Sequence, residues 1–116
     1  MEQVTAATGK RIAKIRELND RLRTTGVGGM IVVTDGIASL RPEIGRAVHK
    51  GVAAFTAFEE DNDPYKEHDF GSVEVGGNTV FWKIDYYDRL MTAGSSDPAD
   101  PQITCRVMTI MLAEEY

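Results

Sequence analysis

Residues 70–87 constrain the fold more than any other part of the chain. Val80, Trp82, Ile84 and Tyr86 alternate with Phe81, Lys83, Asp85 and Tyr87, the two-residue period of a strand that buries one face. Phe70 to Val75 reads as its partner strand, and Gly76-Gly77-Asn78 between them signals a tight turn, because glycine reaches the backbone angles such hairpins require. A hairpin with one apolar face needs a second layer to cover it.

Two segments of helical period supply that layer. Over residues 8–24, Ile12, Ile15, Leu18 and Leu22 recur at three- and four-residue spacing, with Thr8 as the expected N-cap and Gly26 as a stop signal. The polar face of this helix is basic: Lys10, Arg11, Lys14, Arg16, Arg21 and Arg23 stand against Glu17 and Asp20. It is either a solvated face or a docking surface for an acidic segment. A second helix is predicted from about Arg41-Pro42, with Pro at an early position, Glu43 in the first turn and a stripe of Ile44, Val48, Val52, Phe55 and Phe58.

Met30 to Thr34 is apolar and β-branched on both sides, which predicts a strand covered on both faces or lying centrally in a sheet. Asp35-Gly36 reads as a turn. Thr104 to Ala113 reads as a strand with a helix as competitor, and the Pro- and Asp-rich segment 89–102 as a loop. The expected fold is therefore α+β. It is a two-layer sandwich of two helices on one face of a mainly antiparallel sheet of about four strands, all within one domain spanning the 116 residues.

The acidic segment 59–69 has the strongest local charge. Between Glu59 and Asp69 six carboxylates stand against Lys66, so this stretch carries the equivalent of the chain's whole formal charge of −5. Such crowding needs a cation, a basic partner or nearby Lys and Arg side chains to offset self-repulsion. The acidic balance argues against general affinity for nucleic-acid phosphates. No apolar run approaches membrane-spanning length, and no signal peptide is recognisable. The lone cysteine, Cys105, sits in an apolar run and is expected to be a buried, inert thiol; one cysteine also agrees with a reducing cytoplasm.

Several segments together resemble one family. They are Asn19-Asp20, Val32-Val33-Thr34, Asn62-Asp63-Pro64, Glu67-His68-Asp69-Phe70-Gly71, Trp82 to Asp88, Asp97-Pro98 and Thr104 to Tyr116. The chain is similar to the short bacterial proteins described as domain of unknown function 3768, which occur largely in alphaproteobacteria and often near plasmid or mobile-element genes. The resemblance implies no reaction. It marks the acidic loop and the tyrosine-bearing strand as a family signature.

Three kinds of chemistry fit the residues. His68, Asp69, Asp85 and Asp88 are a candidate metal set, although no paired histidines, cysteine pair or calcium-loop order supports them. His68 beside Asp69 is a candidate general base, with Lys83, Tyr86 or Tyr87 polarising a substrate oxygen. The string His68-Asp69-Phe70-Gly71 contains the magnesium-binding triplet of protein kinases, but a chain this short lacks the other kinase motifs. The third reading is recognition: an acidic loop with Tyr65, Tyr86 and Tyr87 nearby resembles an interface with aromatic anchors and a charged rim. A purely structural network, in which Arg106 joins Lys83 and Asp85, is the competing role for the same side chains. The expected function is a small cytosolic, non-enzymatic module that binds another macromolecule, a protein with a basic surface. Glu67, His68, Asp69, Lys83, Asp85, Tyr86, Tyr87 and Asp88 are its candidate binding residues, and no cofactor is implied.

Overall fold

The structure, a computed structural model, describes residues 6–116. Its elements are α1 (Ala6–Thr25), β1 (Met30–Val33), α2 (Asp35–Ala38), α3 (Pro42–Ala53), β2 (Phe70–Val75), β3 (Asn78–Tyr87) and β4 (Cys105–Leu112), followed by a 3-10 turn over Ala113–Glu115. The strands form one mixed sheet in the order β1-β4-β3-β2, with β1 parallel to β4 and the remaining pairs antiparallel. The α+β architecture is the one the sequence predicts, and the last strand is a strand.

The hairpin forms as its period dictates. Gly76 and Gly77 take φ of 57° and 82°, which closes the turn without a Cβ penalty. Pairing runs from Phe70 opposite Lys83 to Val75 opposite Asn78. Val80, Trp82 and Ile84 are buried on one face beside Met108 and Ile110 of β4. Leu22 of α1, Ile37 of α2, and Val48 and Val52 of α3 close over them as one core. Each large side chain removed from water here contributes about 2 kcal/mol before entropy is counted. On the opposite face Phe70, Phe81 and Tyr116 form an aromatic group with ring centroids 5.3 to 6.2 Å apart.

The structure differs from the sequence reading in several places. Thr8 lies inside α1 and so is not its N-cap. Asp35-Gly36, read as a turn, opens the short helix α2 and adds a third helix to the expected two. The start of α2 is tied to the end of β4 by Glu115, whose carboxylate accepts from the Thr34 hydroxyl at 2.6 Å, the Leu112 amide at 2.8 Å and the Gly36 amide at 3.1 Å. Those bonds, the Thr34 hydroxyl first, hold the Glu115 carboxyl below the usual range. Cys105 is a half-exposed free thiol, not a buried one. No helix among the described residues is long and apolar enough to cross a membrane.

The largest correction concerns β1. It lies at the sheet edge, not its centre. Met30, Ile31, Val32 and Val33 are 50%, 37%, 40% and 40% exposed. The local pattern is that of an inner strand, but the chain leaves β1 through α2 and α3 and returns on one side of it only. Gly29 permits the approach to β4, since a Cβ there would run into the backbone of Arg106.

Candidate functional site

Two adjacent residues on α1, Asn19 and Asp20, organise the acidic loop. Asn19 follows Ile15 by four positions and precedes Leu22 by three, so it sits on the buried face of the helix. Its Nδ2 donates to the Glu67 carbonyl at 3.0 Å and to the Tyr86 hydroxyl at 2.7 Å, and its Oδ1 accepts from Arg106 Nε at 2.6 Å. Tyr86 in turn donates to the Glu67 carboxylate at 2.7 Å. Arg106 also donates to the Pro98 carbonyl, and its guanidinium lies 5.2 Å from the centroid of the Tyr86 ring. Burial is the leading cause that lowers the Arg106 pKa, with Tyr86 and Glu67 opposing it. Burial, then the bond to Glu67, drives the Tyr86 hydroxyl far above its ordinary value.

Asp20 begins the second chain of contacts. Its Oδ1 accepts from Arg23 Nη2 at 3.2 Å and lies 2.8 Å from His68 Nδ1. A carboxylate only accepts, so Nδ1 carries a proton in this pair. The imidazole stacks on Phe58 at 3.6 Å between centroids, and its Nε2 is 3.7 Å from Asp63 Oδ2. The loop backbone is fixed from within. Asn62 accepts from the Glu59 amide and donates to the Ala57 carbonyl, and Asp63 accepts from the His68 amide. His68 takes φ of 56° and Lys66 of 60°, a region that costs non-glycine residues energy unless contacts such as these impose it.

The sequence-predicted residues are therefore divided between the two sheet faces. Glu67, His68 and Tyr86 gather on the helix side. Lys83 and Asp85 face the other way and pair with each other at 2.6 Å. The Asp85 hydrogen bond is the leading cause that raises the Lys83 pKa. Arg106 does not join them, because it lies opposite Tyr86 on the helix face. Asp88 stands apart beyond the strand end, where it accepts from the Thr92 amide at 3.0 Å; this bond holds its carboxyl below the usual range. Tyr87, half-buried, pairs with Cys105 across the sheet. Among the described residues no group of three or more His, Cys, Asp or Glu is arranged to hold a metal ion.

Asp69 lies between the two groups. Burial raises its pKa first, Glu67 next, and Asp63 and Asp85 add to the effect. A carboxyl with a raised folded-state pKa binds its proton more readily folded than unfolded. Its charge thus opposes folding at neutral pH, and the opposition fades as pH falls through the raised value. Asp69→Asn is expected to raise the melting temperature at neutral pH, with a smaller gain in acid. Thermal melts at both pH values check this; an equal gain at both would assign the effect to something other than ionisation.

The family model described as Protein of unknown function (DUF3768) matches residues 33–115. The chain belongs to the DUF3768 family. No curated protein and no solved structure matches it. The DUF3768 match takes in Asp63, Glu67, His68, Tyr86, Pro98 and Arg106, whereas Asn19, which bonds Glu67, Tyr86 and Arg106, Asp20, which bonds His68, and Arg23, which bonds Asp20, precede it. In sequence, Asp20 and Arg23 fall on the polar face of the helix, either solvated or a docking surface for an acidic segment, and Asn19 stands out only as part of the Asn19-Asp20 motif. Arg23 is buried, with Nη1 donating to the Val52, Ala53 and Phe55 carbonyls at the end of α3. The signal was present: positions 15, 19, 22 and 23 share one helical face, and two of them are polar.

Proposed function

We propose that this DUF3768 protein is a non-enzymatic binding module whose acidic loop engages a basic surface on another protein. The observation that carries this reading is the state of Glu59, Glu60 and Asp61. All three are exposed, and none forms an ion pair with a described residue. They project from a backbone already held by Asn62 and Asp63, so binding would cost little ordering entropy. Tyr65, 73% exposed, stands beside them as an aromatic contact. Glu67, His68 and Tyr86 brace the loop in this reading, and the Asp69 carbonyl ties its end to the Ile84 amide. Lys83, Asp85 and Tyr87 lie along the adjoining strand and Asp88 just beyond its end.

Acid–base chemistry at His68 is the second reading. It rests on the oriented His68–Asp20 pair beside an open cleft of about 400 Å³. The cleft walls bring Glu59, Glu60, Arg16 and Lys66 but no serine, threonine or cysteine, which favours binding over nucleophilic chemistry. Reversing Glu59, Glu60 and Asp61 to lysine is expected to abolish capture of partners from a cell extract, and added salt should weaken capture by the unaltered protein. The same set of captured proteins from both forms would refute the electrostatic interface.

A further inference from the structure

We infer that β1 is the self-association surface of the protein, pairing antiparallel with β1 of a second copy across a two-fold axis at Val32. This inference is independent of the acidic loop, which leads into β2 at the other side of the sheet.

The outer side of β1 is an edge without protection. No described strand pairs with it, and Met30, Ile31, Val32 and Val33 include no charge, proline or bulge. Soluble proteins usually blunt exposed edges with such devices, because a free row of amides and carbonyls templates further pairing. The exposure is also two-sided. Ile31 and Val33 lie on the helix face, in register with Met108 and Ile110, and Met30 and Val32 on the open face with Val107 and Thr109. A strand built for burial on both faces is thus left half-covered on each.

The hydrogen-bond alternation fixes the register a second copy would take. The Thr34 amide donates inward to the Ile110 carbonyl at 3.1 Å. Alternation along the strand turns Val32 and Met30 inward as well, and leaves the amides and carbonyls of Ile31 and Val33 pointing out. With a two-fold at Val32, Ile31 of each copy meets Val33 of the other, both with outward-facing groups and both on the helix face. Val32 meets Val32, and Met30 meets Thr34. Every pairing is apolar or neutral, and no like charges meet, which would be destabilising in directly opposed positions.

A second copy fits better than a foreign strand for two reasons. The edge is self-complementary in that register, and pairing through it makes β1 the central strand its sequence describes. The arrangement also closes. The opposite edge, β2, exposes Glu74 and Ser72, so the eight-stranded sheet ends in polar edges and does not propagate. A specific interface needs roughly 1,000 Å² in total. Val27, 48% exposed just before β1, and Met91, which shares a cavity wall with Met30, extend the apolar area beyond the strand itself.

Sedimentation velocity across a concentration series tests the inference, with a dimer expected for the unaltered chain. Val32→Lys sets two lysines face to face at the axis and is expected to be a monomer with unchanged circular dichroism, since Val32 contributes to no core. As a second reading, Val32→Cys in a Cys105→Ser background places two thiols at a Cα separation of about 4.5 Å, within disulfide reach. It is expected to oxidise to a covalent dimer, whereas Ser72→Cys in the same background is not. An unaltered chain that stays monomeric, a Val32→Lys variant that stays dimeric, or equal cross-linking through position 72 would each overturn the inference.

Discussion

Asn19→Leu is expected to destabilise the fold by about 3–5 kcal/mol, more than deletion of a comparable surface amide by an order of magnitude. The side chain is fully buried and serves three partners: Arg106, Tyr86 and the Glu67 carbonyl. Leucine fills the space but accepts nothing, so the buried Arg106 guanidinium loses the acceptor for its Nε. Burial already works against that charge, and the loss of a charged group's hydrogen bond adds directly to its desolvation cost. Tyr86→Phe should cost less, about 1–2 kcal/mol, because Asn19 retains its bonds to Glu67 and Arg106. The double variant should be markedly less destabilised than the sum, since both changes break one network. Urea unfolding with unchanged slope gives these values; a loss below about 1 kcal/mol for Asn19→Leu would mean that water replaces the network without penalty.

The same residues explain which parts of the molecule were legible in the sequence. The hairpin was, because a period of two is written directly into Val80, Trp82 and Ile84 and is enforced by burial of one face; the weaker alternation of residues 104–113 leaves a helix open beside the strand that β4 forms. The helical stripe of Ile15, Leu18 and Leu22 was legible for the same reason as the hairpin. The place of β1 in the sheet was not. Strand order is set by the long return through α3 and the hairpin, and Met30 to Val33 record only that both faces suit apolar contact.

The candidate site divides in the same way. Its location around residues 59–69 and 82–88 could be read from charge and from the tyrosines. Its partners could not, because Asn19 and Asp20 reach residues nearly fifty or more positions away in sequence. Nothing local marks Asp20 as the residue that orients His68. Nor does anything local show that Arg106 turns to the helix side; a one-residue shift in the pairing of β3 with β4 would have reversed it.

Arg23→Met is the second large effect, expected at about 3 kcal/mol. Methionine keeps the aliphatic bulk, so the loss isolates the guanidinium. Nη1 donates to the Val52, Ala53 and Phe55 carbonyls at 3.0 to 3.1 Å, closing the C-terminus of α3, where a cation is also favoured by the helix dipole. Nη2 holds Asp20, and the charge lies 5.1 Å from the Trp82 ring centroid and 5.3 Å from that of Phe58. The Arg23 Nε and Trp82 Nε1 atoms are buried without hydrogen-bond partners among the described residues. Attraction between the guanidinium and the aromatic faces offsets part of that deficit. Lysine at this position should recover only part of the stability, because one ammonium on a single stem cannot reach three carbonyls and Asp20 together. Two readouts distinguish this from a general loss of packing. Amide exchange should accelerate in the last turn of α3 before it does in β3, and Trp82 fluorescence should change in Arg23→Met more than in Arg23→Lys. Uniform acceleration throughout the chain, with equal fluorescence changes in both variants, would remove Arg23 from its role as the clamp between α1 and α3.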